Sequence, residues 1–303
     1  MTTFARELAV AVVATSAVLF GGCATAPTAP VTSETPTATR PSGLLTTRGA
    51  VTVIDRGDGA HLCLGGVAES LPPQCAGVPL LEWDWSALDG EYEEQGGVRW
   101  GDFAVTGSYD ADAGQFTPVE VVPAAEIPQP PDSPSDEPIG TPCAEPDGGW
   151  RVVDESRVSL DDFHAATAHA STVEGYAATW VDMSRNPAAG ADPLDPAVEA
   201  QLSDPRHTIL NVAVAGDPAA AEASIRALWG GMLCVTRAER TEAELVALLQ
   251  EIIDGPGVLG GGVDGIAGTV GITVVHDDGS LQEVLDDRHG EGLVIVSSAL
   301  VPA

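Results

Sequence analysis

The chain contains no lysine. Its thirteen basic residues are all arginines, set against forty-five aspartates and glutamates, and the formal net charge is −32 over 303 residues. Nucleic-acid binding needs cations that displace phosphate counterions, and anionic lipid surfaces ask for the same groups. Both are excluded as charge-driven partners, and no nucleic-acid partner is expected. Aromatic residues make up only 5%, which argues against the aromatic-lined clefts that hold sugars. The longest apolar run near the start, Leu8 to Phe20, has thirteen residues, whereas a membrane-spanning helix needs about twenty. Catalytic signatures are missing too. There is no G-x-S-x-G elbow, no Walker A loop, no H-E-x-x-H and no C-x-x-C, and no G-x-G-x-x-G follows a strand. The sequence therefore implies no catalytic residue, no cofactor and no metal. What it has in quantity is hydrophobic residues, 44% of the chain, enough to build real cores despite the charge.

The first residues point to export. Arg6 precedes the apolar run, which has the length of a signal-peptide core. The run ends in Leu19-Phe20-Gly21-Gly22-Cys23. This resembles the lipobox of bacterial lipoproteins and implies that Cys23 is acylated and becomes the new N-terminus. Residues 1–22 are then the signal peptide. Residues 23–43 carry the lipidated cysteine and a disordered stalk rich in Thr, Pro and Ala, which cannot bury enough surface to offset its ordering entropy. The expected location is the extracytoplasmic face of the cell membrane, held by the lipid anchor alone.

The expected fold class is α+β, a small all-β, OB-like barrel followed by a pseudo-duplicated α/β domain of two α-β-β-α-β units. Alternating, β-branched stretches at 48–54, 100–109 and 115–122 read as strands of a small barrel over residues 44–122. A proline-rich acidic stretch, 123–142, reads as a linker. In residues 143–303 one order of elements occurs twice. Helices are expected at 160–171, 217–229, 242–253 and 278–288, with strands at 177–182, 208–214, 232–237, 258–263, 269–275 and 292–297. The two halves are expected to share one core, with a peptide groove between them. A loop insertion, Ser184–Pro205, would lie beside that groove.

With Cys23 acylated, four cysteines remain, Cys63, Cys75, Cys143 and Cys234. An even count in an exported chain argues for disulfides. Of three possible pairings, division by folded segment selects Cys63–Cys75 and Cys143–Cys234; the competing reading is a four-thiolate zinc site. His276-Asp277-Asp278 and the stretch from Asp55 to Gly59 each read as a turn or a cation site. The glycine-rich stretch Gly255 to Gly265 reads as a helix C-terminal turn. Trp83, Trp85 and Trp100 are either barrel core or a recognition patch.

The segments Leu62-Cys-Leu-Gly-Gly-Val67, Ser70-Leu-Pro-Pro-Gln-Cys75, Glu82-Trp-Asp-Trp85, Arg99-Trp-Gly101, Val105-Thr-Gly-Ser-Tyr109, Gly148-Gly-Trp-Arg-Val152 and Gly230-Gly-Met-Leu-Cys234 resemble uncharacterised exported actinobacterial lipoproteins. The paired Val181-Asp182 and Val263-Asp264 units are similar to propeptides of streptogrisin-like secreted proteases. The expected function is a non-enzymatic binding or scaffold module of the cell envelope, with an envelope protein or an extended peptide as partner. Two alternatives stand beside it. One is a secreted hydrolase working through carboxylates. The other, which the propeptide resemblance implies, is a chaperone or inhibitor of a secreted protease.

Overall fold

The computed structural model describes residues 43–127, 139–191 and 195–303. The expected signal peptide, Cys23, the stalk as far as residue 42 and the middle of the expected linker lie outside the described residues. Among the described residues the fold mixes three β-sheets with five α-helices and is mostly β.

The largest sheet is antiparallel and barrel-like. It comprises β1 (Leu45–Thr47), β2 (Val51–Asp55), β3 (Ala60–Leu62), β4 (Val78–Pro79), β5 (Glu93–Gln95), β6 (Val98–Asp110), β7 (Gln115–Pro123) and β14 (Leu300–Pro302). Strand β6 is the spine, pairing with β1, β2, β5 and β7. Its alternation sends Phe103 and Val105 into the core and leaves their neighbours on the other face. The ladder with β7 shifts register between Thr106 and Gly107. Here a Cβ on Gly107 would collide with the Thr117 carbonyl, and Pro118, with no N–H to give, sits at the irregularity. The sheet returns towards itself through one parallel bridge, Leu80 to Phe116, and does not close.

Two features of this sheet depart from the expectation. The strand read over 48–54 begins only at Val51, because the chain turns at Gly49 after the separate short strand β1. There the Thr47 hydroxyl donates to the Gly49 carbonyl and accepts from the Val105 N–H, taking over from the backbone ladder. The second feature is β14, the last strand of the chain, which pairs with β1 in the register Leu45 to Pro302. Leu300 and Val275 are buried in the barrel core beside Phe103 and Phe116. The described residues accordingly belong to one compact unit.

The remaining elements are α1 (Leu160–Ala170), β8 (Tyr176–Asp182), α2 (Pro196–Leu202), β9 (Ile209–Val214), α3 (Pro218–Arg226), β10 (Met232–Arg237), α4 (Glu242–Ile252), β11 (Val258–Asp264), β12 (Thr269–Val274), α5 (Ser280–His289) and β13 (Val294–Ser298). They form two three-stranded sheets. In the order β8-β9-β10, the first pair is antiparallel and the second parallel. The order β11-β12-β13 has the same senses. Each sheet has its own core rather than a shared one. Helices α1 and α3 bury Ala166, Ala170, Ala221 and Ile225 against Leu210, Val212 and Val214. Helices α4 and α5 bury Leu245, Ile252 and Leu285 against Val270, Ile272 and Val274. Helix starts are written in the sequence. Ser159 with Asp162 and Thr241 with Glu244 form capping boxes, and Asp217 caps α3 ahead of Pro218. The insertion 184–205 holds the short helix α2, which the sequence reading missed. Asn186 pins it by donating to the Gln201 carbonyl.

A tight crossing ties the start of this region to the end of α3. The backbone N–H groups of Val153 and Asp154 donate to the Gly230 carbonyl, and the Gly230 N–H donates to the Arg157 carbonyl. Gly230 is required there, since a Cβ would run into the Asp154 backbone. Hydrogen bonds from the Ser156 hydroxyl and N–H, and then from Arg157, pull the Asp154 pKa down from 3.8 to about 2. A carboxylate whose folded pKa is depressed contributes stability above its unfolded pKa and loses it as pH falls through the folded value. The destabilisation caused by Asp154→Asn should therefore be full above roughly pH 5 and should fall away as pH drops through about 2. Urea midpoints of both proteins across that window check this, and a pH-independent difference would contradict it.

Candidate functional site

Both expected disulfides form. Cys63 and Cys75 are bridged with Cα atoms 5.9 Å apart, and Cys143 and Cys234 with Cα atoms 5.8 Å apart. The first closes the loop that carries Leu64, Gly65 and Gly66. The second ties the segment before α1 to β10, in a small apolar cluster with Ile209, Met232 and Trp150.

The three candidate tryptophans do not converge. Trp85, 6% exposed, belongs to the barrel core. Its indole N–H donates to Asp55 at 3.1 Å. Burial alone would raise the Asp55 pKa, but N–H donors from Gly57, Trp85 and Gly59 hold it below its ordinary value. The Asp55–Gly59 stretch is thus a turn closed on its own aspartate. Trp83 is half-buried and meets Trp85 and Phe103 edge-on at 5.5 and 5.4 Å. Trp100 lies three residues before Phe103 on β6, so it stands on the opposite face of that strand. At the other candidate cation site, the Asp277 carboxylate accepts from the N–H groups of Leu281 and Gln282, Asp278 accepts from Ser280, and His276 faces the Leu300 carbonyl. These groups serve the start of α5. Among the described residues no three His, Cys, Asp or Glu side chains gather at metal-holding distance.

The structure opens a different place. A groove of about 660 Å³ runs between Leu64–Gly66 and the face of the β11-β12-β13 sheet that α4 and α5 leave uncovered. Pairing register assigns its floor. Gly262 lies opposite Gly271 and Ile295 follows in the same row; Gly260 lies opposite Thr273, and Ser297 follows. Asp264 and Thr269 close one end. The glycine-rich stretch read as a helix C-terminal turn is thus mostly strand, because Gly260, Gly261 and Gly262 pair in ladder with β12. A Cβ on Gly260 or Gly262 would meet nothing within 4 Å, and one on Gly271 only a carbonyl oxygen at 4.0 Å. None of the three has a left-handed φ. Neither backbone conformation nor packing requires glycine there, although glycine weakens a strand interior by about 0.5–1 kcal/mol relative to alanine. Ile295 is 45% exposed at the floor. Among the described residues Asp264 is the sole ionisable lining residue, and its Oδ1 accepts from the N–H groups of Ile266 and Ala267. This surface offers shape, hydroxyls and apolar contact, without an acid–base pair. The described residues of the insertion 184–205 do not line it.

A second, smaller cleft of about 240 Å³ lies where the end of α1 meets α3. There His169 and Ser224 come together, with Nε2 and Oγ 2.6 Å apart. Nothing in the sequence marks this pair, since the residues lie 55 apart on separate helices.

No protein-family model matches the chain, and no curated protein matches it.

Proposed function

We propose that the protein is an exported, lipid-anchored binding or scaffold module of the cell envelope, and that the groove floored by Gly260, Gly262 and Gly271 holds an extended peptide. The glycine floor carries this reading. Interior strand glycines that the fold does not need mark places where a second backbone approaches closely. A single carboxylate, Asp264, among the described lining residues leaves no acid–base pair, which supports binding there in place of carboxylate hydrolysis. The Cys63–Cys75 bridge supports it as well, since it fixes one wall of the groove.

Export is supported by the two disulfides, which persist in oxidising compartments, and by the apolar run ending in Gly21-Gly22-Cys23. Cys23→Ala should move the protein from the membrane fraction to the medium, and mass spectrometry of the wild type should find a multiply acylated N-terminus, because one acyl chain anchors only marginally. Equal release of wild type and variant would remove the anchor from the account.

Two architectural readings accompany the proposal. The ring β2-β3-β4-β7-β6, with β6 returning beside β2, has the five strands and partial opening of an OB fold. The common strand order and senses of the two smaller sheets, each preceded by a helix and carrying a second helix before its last strand, support an internal duplication. On that reading the first copy covers its outer face with the Cys143–Trp150 segment, and the second leaves the corresponding face open as the groove floor.

A further inference from the structure

We infer that Ser224 is a nucleophile activated by His169, at a site that takes small, uncharged or cationic activated acyl groups. This cleft is separate from the peptide groove, and neither claim depends on the other.

The pair is assembled by helix packing. Ala166 and Ala170 of α1 and Ala221 and Ile225 of α3 are buried in one core. That contact brings the last turn of α1, with His169, alongside Ser224. A serine inside a helix commonly returns its hydroxyl to a carbonyl of the preceding turn. Ser224 instead faces the imidazole, at 2.6 Å from Nε2.

The tautomer follows from Thr172. Its hydroxyl donates to the His169 carbonyl at 2.7 Å, so its proton is committed. The same oxygen stands 3.5 Å from Nδ1 and can only accept there. Nδ1 therefore carries the proton and Nε2 presents its lone pair to the serine O–H. A nucleophile, a base within reach and a third group that orients the base form the arrangement that activates hydroxyl nucleophiles. Here threonine stands where a carboxylate is more usual.

The cleft sets the substrate class. Val173, Ala220 and Ala221 supply apolar lining, and Glu174 and Asp217 supply carboxylates. Its 240 Å³ is below the size of a drug-like site and fits an acyl group of a few carbons. Two carboxylates in a chain of net charge −32 disfavour anionic donors. In the reaction the Ser224 Oγ forms a bond to the acyl carbon and its proton passes to Nε2. The bond from that carbon to the leaving oxygen breaks, and the leaving group takes the proton from Nε2. Water then releases the acid by the same steps in reverse. The N–H groups of Ala219 and Ala220 are held by Asp217 and do not serve the oxyanion. Loss of one oxyanion donor slows acyl transfer by roughly 10²–10³-fold. This loss slows acylation and deacylation alike, and an activated leaving group offsets it in acylation alone, so a burst of acylation followed by slow turnover is the expected behaviour.

The test uses the intact, oxidised protein with p-nitrophenyl acetate and with a fluorophosphonate probe, followed by peptide mapping. One adduct on Ser224 is expected, absent from Ser224→Ala and formed at least about 100-fold more slowly in His169→Ala, in line with the usual worth of a general base. The anionic mono-p-nitrophenyl succinate should acylate more slowly than the acetate. His169→Gln keeps a polar partner for Ser224 without a base and should behave like His169→Ala, which guards against a folding defect in either variant. No adduct, an adduct elsewhere, or unchanged labelling in both His169 variants would overturn the inference.

Discussion

Replacing Cys143 and Cys234 with alanine should destabilise the protein by about 4–5 kcal/mol. The bridge spans 91 residues. Cross-linking residues that far apart removes a large share of the unfolded chain's freedom, and the benefit grows with the logarithm of the loop. The two ends are also structurally distinct. Cys234 is buried in β10, whereas Cys143 begins a segment whose Trp150 packs on the same small cluster. Without the bridge that segment would be held by the Trp150 packing, the Thr141 N–H donating to Asp182, the Trp180 indole N–H donating to the Gly140 carbonyl and the Arg185–Glu145 ion pair. The pair is about half-exposed and contributes at most about 1 kcal/mol. The shorter Cys63–Cys75 loop, with a separation of 12, should give about 3 kcal/mol. Urea unfolding of the two double variants against the oxidised parent measures both. A larger loss from the Cys63–Cys75 variant would contradict the chain-entropy argument.

Trp229→Ala should cost about 3–5 kcal/mol, the range for removing a fully buried large aromatic. Trp229 is 0% exposed and is the largest of the fully buried side chains. It meets Phe163 of α1 edge-on at 5.4 Å, and its indole N–H donates to the Met232 carbonyl at 3.0 Å. Gly231 lies directly against its ring, where a Cβ would overlap the indole. The Trp229-Gly-Gly-Met232 stretch therefore joins α3 to β10 with the indole folded over the turn. Trp229→Phe keeps most of the apolar area but leaves the Met232 carbonyl without its donor, so its cost should fall between wild type and alanine. If phenylalanine and alanine cost the same, the edge-on packing is not what stabilises this core.

Of the helices in the second region α2 was missed, although Asp195 caps it ahead of Pro196, whereas α1, α3, α4 and α5 were legible. Ser159, Asp217 and Thr241 announce α1, α3 and α4, and the observed ends fall within three residues of the expected ones. The longer strands were legible by alternation, and the disulfide pairing by its division between segments. Strand β14 was not, because three residues at the end of the chain carry no periodicity, and their partner β1 is equally short. The break at Gly49 depends on a side-chain bond from Thr47 to β6, which no local rule contains. The groove was missed for a different reason. Glycine is a turn signal and also a strand spacer, and only the register with β12 shows Gly262 and Gly271 side by side. The tryptophans divide, with Trp85 in the barrel core and Trp83 half-buried against it. Trp83 and Trp85 do meet, but strand alternation sends Trp100 to the other face of β6.

The central claim is that the glycine floor exists to admit a second backbone, and Gly271→Val tests it most directly. A valine there has open space above the floor and suits a strand, so the variant should be as stable as the parent or more stable by about 0.5–1 kcal/mol. It would also fill the middle of the groove. The measurement is the affinity of extended peptides, selected from a random library on the wild-type protein, for wild type and Gly271→Val. The account predicts selected peptides that bind the wild type and lose at least about tenfold in affinity, or 1.4 kcal/mol, to the variant. Peptides that bind both proteins equally, or a library that yields none on the wild type, would contradict it.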